Sequence, residues 1–182
     1  MLTKIKSLFK LSGLFLQYNY DNIYRVVFGM PRLKRCQITA NLFLGSQYNR
    51  VGLRKMKALG ITAIINMRMH SVYSEAQYEG FHYLHLPTPD NTPPPLEVLI
   101  KGADFADAEI KNGGKVYIHC RQGLGRGPTM TIAYLLKTGL TVDDAITLIK
   151  KTRTFINPRP GQIERLREME NYYRQQPAAD NG

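Results

Sequence analysis

The chain has 182 residues, 43% of them apolar, and sets 25 lysines and arginines against 14 acidic residues for a net charge of +11. That length suits one compact domain with a short appended segment, and with no repeat, heptad or low-complexity pattern the solenoid, coiled-coil and disordered classes are excluded. Two cysteines, Cys36 and Cys120, are too few for a disulfide framework and suit a reducing compartment, which makes a cytoplasmic location the expectation.

The positive surface should attract anions: phosphoesters, anionic lipid or nucleic acid. Nucleic acid is set aside, because no zinc-ligand spacing, RNA-recognition signature or basic region joined to heptads is present. No apolar run approaches the roughly 20 residues that span a bilayer, so an integral membrane protein is not expected.

The first residues carry Lys4, Lys6 and Lys10 and no acid before Asp21, with Leu2, Ile5, Leu8, Phe9 and Phe15 at helical spacing. This describes a basic amphipathic helix that either lies on an anionic membrane surface or packs on the domain that follows; an organelle transit peptide is a third reading. Tyr18, Tyr20, Tyr24, Val26, Val27 and Phe28 extend it as an apolar stretch expected to pack. Residues 1–36 form this extension, 37–176 the main domain and 177–182 a flexible tail. Cys36, after Arg32, Lys34 and Arg35, reads as a small, partly buried residue.

From residue 37 onward short apolar runs alternate with helical ones. Strands are expected at 42–44, 61–66, 81–86 and 115–119. Helices are expected at 52–59, 96–111, 128–137, 141–152 and 161–174, the first two closed by Gly60 and by Gly113 with Gly114. Thr141 followed by Asp144 makes a capping box or a close variant. The fold class is α/β, a central mixed sheet flanked by helices, and in such folds ligands sit beyond the carboxyl ends of the strands.

Beyond 115–119 the chain reads His119, Cys120, Arg121, Gln122, Gly123, Leu124, Gly125, Arg126, Gly127, Pro128, Thr129. A cysteine closes a strand, two glycines let the backbone curl, and a helix begins at once. Backbone N–H groups in such a turn point inward as an anion nest, reinforced by the helix start. The same field favours the thiolate of Cys120, and Arg126 supplies a planar, permanently charged fork for two phosphate oxygens. Arg121, Gln122, Gly123, Leu124, Gly125 and Arg126 are therefore the expected phosphate-binding residues. His119 is expected to orient the loop by hydrogen bonding rather than to transfer protons.

This loop resembles the His-Cys-x-x-Gly-x-x-Arg signature of the protein tyrosine phosphatase superfamily, and the chain from about Thr39 to Tyr172 resembles its dual-specificity branch. The resemblance implies a phosphocysteine intermediate on Cys120, no metal or other cofactor, and an aspartate general acid upstream. The matching residue is Asp90, in the proline-flanked segment Pro87, Thr88, Pro89, Asp90, Asn91, Thr92, Pro93. A narrower likeness, carried by Phe155, Ile156, Asn157, Pro158, Arg159, Pro160, Gly161 and Gln162, is to the mitochondrial phosphatidylglycerophosphate phosphatase and its bacterial relatives. It makes Arg159 and Gln162 supports of the loop, with helix capping an equal account of Gln162.

One position departs from the family. Where most members have serine or threonine after the signature arginine, to stabilise the departing thiolate, this chain has Gly127. With Pro128 next, Gly127 is expected to be the helix N-cap, and Thr129 is the first residue to test as a replacement hydroxyl. The expected function is hydrolysis of phosphate monoesters on phosphotyrosine proteins, with phosphoserine and phosphothreonine as further substrates. A lipid phosphatase acting on phosphatidylglycerophosphate or a phosphoinositide, with peripheral contact to an anionic membrane, is one alternative, and a catalytically weak phosphate-binding module is another. A sulfur-transfer rhodanese also uses a cysteine loop, but Asp90 paired with Arg126 favours phosphoryl chemistry.

Overall fold

The structure is a computed structural model that describes residues 2–175, with side chains from Ser12 onward. It opens with one long helix, α1 (Leu2–Phe28). There follow β1 (Leu42–Gly45), α2 (Arg50–Ala58), β2 (Ala63–Asn66), β3 (His82–His85), α3 (Leu96–Lys111), β4 (Val116–His119), α4 (Arg126–Lys137), α5 (Val142–Thr152) and α6 (Pro160–Gln175). Each expected strand and helix is present. The proposed tail, 177–182, lies outside the described residues, as do the side chains of Leu2, Lys4, Ile5, Lys6, Leu8, Phe9 and Lys10.

The strands run in the order β1-β4-β2-β3, all parallel, and β4 lies between β1 and β2. The sheet is mixed only through one antiparallel bridge, Gln37 to Phe43. Strands β1, β2 and β4 are buried along their whole length, as continuous apolar runs should be in a sheet covered on both faces. On one face Leu42, Leu44, Ala63, Ile65, Val116 and Ile118 pack against α3, α4, α5 and α6. On the other, Phe43, Ile64 and Tyr117 meet Met30, Cys36, Tyr48, Leu53 and Met56. Central β4 therefore delivers its last residue, His119, and Cys120 just beyond it into the middle of the molecule.

Local chemistry sets the element ends. Asn49 caps α2 through Oδ1, which accepts from the N–H groups of Val51 and Gly52. Thr141 Oγ1 accepts from Asp144 N at 3.2 Å and donates to Asp144 Oδ2 at 2.6 Å, so the capping box is a variant in which the two side chains bond each other. Helix α1 stops at Gly29, at φ 89°. A Cβ there would lie 2.3 Å from the backbone nitrogen of Gly52, so only glycine admits the contact that seats α1 beside α2.

The described part of α1 packs on the domain through one face only. Tyr18 meets Phe155 edge-on at 5.9 Å, Gln17 Oε1 accepts from Thr154 and Arg35, and Asp21 is buried. The 18–28 stretch does not pack as a whole. Tyr20, Val26, Val27 and Phe28 are exposed together with Phe15, Leu16 and Ile23, because a single helix lying on a rounded domain has a second side that the domain cannot cover. Cys36 is fully rather than partly buried, and burial pushes its thiol up to about 12.

Candidate active site

The loop 120–126 leaves β4 and enters α4. A peptide unit is planar, so holding one residue's carbonyl outward turns the next residue's N–H to the opposite side. Every carbonyl of residues 120–125 is held in this way. His119 Nδ1 reaches Cys120 O at 3.2 Å, and Gln47 N donates to Arg121 O at 3.1 Å. Arg153 donates from Nη2 to Gln122 O at 3.0 Å and from Nε to Gly123 O at 3.1 Å. Asn157 N donates to Leu124 O at 2.7 Å, and Thr129 donates to Gly125 O from both N and Oγ1 at 2.9 Å. The N–H groups of residues 121–126 are thus turned inward, and that of Gly123 donates to Cys120 Sγ at 3.2 Å. This is an anion nest closed by a helix N-terminus.

Gly123 takes φ 70°, and a Cβ on it would lie 2.6 Å from Gly45 O, so the close approach of loop to β1 requires glycine. Gly125, not Gly127, is the N-cap of α4. The helix starts earlier than expected because Gly125 O already accepts the N–H of Thr129, which places Pro128 inside the first turn, where its missing N–H costs nothing. The hydroxyl of Thr129 is committed to Gly125 O, so it does not stand in for a serine beside the thiol. The vacant position faces the sulfur: a Cβ on Gly127 would lie 3.5 Å from Cys120 Sγ.

Arg126 is 5% exposed. Its Nη1 donates to Thr88 O at 2.7 Å and Met67 O at 3.3 Å, which fixes the guanidinium between the loops after β2 and β3. Its Nε lies 3.1 Å from Asp90 Oδ1 but without hydrogen-bond alignment. Asp90 is held only lightly, its side chain 68% exposed and in contact with Arg126 and the N–H of Asn91. Cys120, Arg121, Gln122, Leu124, Gly125, Arg126 and Asp90 line one pocket of about 90 Å³, joined by Asn91, Asn157 and Arg159.

Arg159 and Gln162 act on the acid-bearing loop. Arg159 Nε donates to Asn91 Oδ1 at 3.0 Å, and Gln162 Nε2 donates to Thr92 O at 3.0 Å. Gln162 Oε1 also accepts from Arg159 N at 3.0 Å, so the same side chain caps α6 and braces the loop. A Cβ on Gly125 would meet Oε1 of Gln162 at 3.1 Å, which puts this glutamine between the acid loop and the phosphate-binding loop.

Arg153, Gln47 and Asn157 also belong to the site, without a role assigned to them from the sequence. Two act through backbone N–H groups and leave no side-chain signal. Arg153 sits in a run of basic residues that reads as solvated charge, yet it is among the largest fully buried side chains in the molecule.

A deeply placed thiol in a nest of N–H groups, an arginine beside it and an exposed carboxylate at the rim define a cysteine-dependent phosphatase site. The model of the dual specificity phosphatase catalytic domain matches residues 42–172, and the chain belongs to that family. Mouse dual specificity protein phosphatase 1 is 33% identical over 138 residues, which are 74% of this chain and 37% of the relative. Human dual specificity protein phosphatase 5 is 33% identical over 137 residues, covering 74% and 35%. The chain thus matches little more than a third of the length of these curated relatives. Among solved structures, Tk-PTP in its active form superposes with a TM-score of 0.70 at 27% identity over 77% of this chain and 99% of that one. PTPMT1 in complex with PI(5)P gives 0.69 at 28% identity over 74% and 93%.

His119 is completely buried, and burial pushes its imidazole down from 6.5 to about 3, assisted by the charges of Arg68, His85 and Arg126. The ring is therefore neutral at ordinary pH. Its Nδ1 must carry the proton, since it faces the Cys120 carbonyl, and Nε2 has no hydrogen-bond partner among the described residues. Between pH 6.5 and 3 the unfolded chain binds a proton at this position that the folded chain does not. Stability from this group is therefore complete above pH 6.5 and is lost as the pH falls toward 3. Urea unfolding near pH 4.5 should show about 2 kcal/mol of this loss relative to pH 7, and His119→Asn should lack that share of the pH dependence. An unchanged pH dependence in the variant would overturn the assignment.

Proposed function

We propose that the chain hydrolyses phosphate monoesters through a phosphocysteine intermediate, acting on phosphotyrosine proteins and on phosphoserine or phosphothreonine proteins as further substrates. The observation that carries this reading is the complete set of outward-held carbonyls around Cys120, which prepares inward N–H groups for three phosphoryl oxygens. Cys120 Sγ attacks phosphorus, the bond to the ester oxygen breaks, and the developing charge is met by the nest and by Arg126. The substrate's oxygen takes the place of Asp90 beside Arg126 Nε, and Asp90 in its protonated form then delivers a proton to the leaving oxygen. Water attacks the phosphocysteine, gives its proton to the Asp90 carboxylate, and releases phosphate and the thiolate.

A second reading, a phospholipid monoester at an anionic membrane, has its own observation in α1. Phe15, Leu16, Tyr20, Ile23, Val26 and Val27 fall on one outward helix side, each well exposed. Asp21 is the one acid in α1, and it is buried. Cations border the stripe: Arg32 lies over the rings of Tyr20 and Tyr24, Lys55 lies over Phe28, and Lys4, Lys6 and Lys10 precede it in sequence. An apolar stripe fringed by positive charge complements an anionic bilayer, whereas the net charge of +11 opposes pairing of two copies. No helix among the described residues is long and apolar enough to cross a membrane, so the contact would be peripheral.

Cys120→Ser should abolish turnover of an aryl phosphate while leaving affinity for inorganic phosphate nearly unchanged. Asp90→Asn should lower kcat about 10²- to 10⁴-fold on poor leaving groups and much less on activated aryl esters. Equal losses on both would remove Asp90 as the acid, and total inactivity of the native chain would favour the phosphate-binding module. Gly127→Ser places a hydroxyl beside Sγ at the cost of a small shift of Leu44, whose Cδ1 lies 3.2 Å from the new Cβ. It should speed phosphocysteine hydrolysis and shrink the pre-steady-state burst; an unchanged second step in rapid-quench kinetics would contradict this. For the membrane reading, Ile23→Glu with Val27→Glu should weaken sedimentation with phosphatidylglycerol vesicles and spare aryl phosphate hydrolysis. Binding by the native chain should fall with salt; absence of vesicle binding would leave protein substrates.

A further inference from the structure

We propose that Asp21, in the N-terminal helix, is a positioning residue for the phosphate-binding loop, acting through Arg153. The proposal rests on the phosphatase reading of that loop and goes beyond it, since α1 lies outside the matched catalytic-domain region.

Arg153 is completely buried and its guanidinium is used on every side. Two of its nitrogens hold the carbonyls of Gln122 and Gly123, Nη1 donates to Arg35 O at 3.3 Å and lies 3.2 Å from Asp21 Oδ2, and the plane sits 4.5 Å from the ring centre of Phe155. The two peptide units it grips carry the N–H groups of Gly123 and Leu124, at the centre of the nest. The first of these donates to the nucleophile sulfur. A lysine could not grip two carbonyls in one plane and an acid together.

A guanidinium with no access to water needs a counter-charge in place. Among the described residues Asp21 is the one carboxylate paired with Arg153, and it is itself only 2% exposed. The pair is not arranged for stability alone. Among the described residues Asp21 Oδ1 is buried without a hydrogen-bond partner, an expense that an apolar pair of similar size would avoid. What the ion pair supplies, and an apolar pair would not, is a fixed direction for the donors that face the loop. With the acid gone, Arg153 would draw toward solvent or admit water, and the Gln122 and Gly123 carbonyls would lose their hold. The inward N–H groups would lose direction with them.

The experiment compares the native full chain with Asp21→Asn, Arg153→Met and the double variant. The readouts are inhibition by orthovanadate, kcat and KM on an aryl phosphate, and thermal unfolding, all kinetics being taken well below each midpoint. Asp21→Asn should raise the vanadate inhibition constant and lower kcat by about tenfold each, with a smaller change in KM, because the loop is shaped to the transition state. In the Arg153→Met background, Asp21→Asn should add nothing, since it acts through the missing guanidinium. An Asp21→Asn chain that is less stable but has native kcat and vanadate inhibition would overturn the proposal, as would an undiminished effect of Asp21→Asn in the Arg153→Met background. If Asp21→Asn alone does not fold, the double variant decides, and native vanadate inhibition there overturns it. A native chain that neither turns over the ester nor binds vanadate would remove the phosphatase reading and this inference together.

Discussion

A loop that points its N–H groups at an anion must point its carbonyls away from it, and those carbonyls need donors of their own. In this molecule that requirement organises much of the structure. Donors come from β4 itself (His119), the segment after β1 (Gln47), the end of α5 (Arg153), the approach to α6 (Asn157) and the first turn of α4 (Thr129). A buried carbonyl left without a partner costs about 1–3 kcal/mol. A nest with several such vacancies would relax into another turn, so the residues that surround the loop are as much a part of the anion site as the residues that face it.

Electrostatics follow from the same geometry. Among the deeply buried side chains near Cys120, His119, Arg126 and Arg153 are ionisable. Each is handled differently. His119 is kept neutral by burial, the guanidinium of Arg126 lies against two carbonyls and the rim carboxylate, and that of Arg153 faces Asp21. The neutral histidine lets two permanent cations sit near one thiol without a third. Asp90, by contrast, is exposed, which suits the general acid proposed above, a group that would meet the leaving oxygen and exchange protons with water.

The braces on the acid loop show why proline and asparagine surround Asp90. Asn91 adopts φ 62°, a conformation asparagine tolerates well, and its side chain accepts from Arg159 while Thr92 O accepts from Gln162. Gln162 of α6 thereby braces the upstream loop, and it lies beside Gly125 of the downstream one. Arg126 adds a second tie through Thr88 O. These contacts hold the segment that carries Asp90 in place relative to Cys120, while the carboxylate itself stays lightly held.

The local chemistry was legible in the sequence by itself. The strand-loop-helix around Cys120, the order of strands and helices, the Thr141 cap and the proline-lined segment bearing Asp90 all depend on neighbours within a few residues, and such neighbours are visible in a string of letters. Burial and partnership are not local. Nothing in the sequence pairs Asp21 with Arg153; that pairing exists only once folding brings α1 against the end of α5. Gln47 and Asn157 contribute backbone donors that any residue type but proline would have offered. The start of α4 at Arg126, with Gly125 as cap, was decided by which carbonyl the folded loop left free for Thr129. The two sides of α1 were decided by where the domain had room for one of them. Sequence determines which groups can donate, accept and carry charge; only the tertiary structure decides which of them are removed from water, and with whom, because desolvation depends on everything that packs around a group.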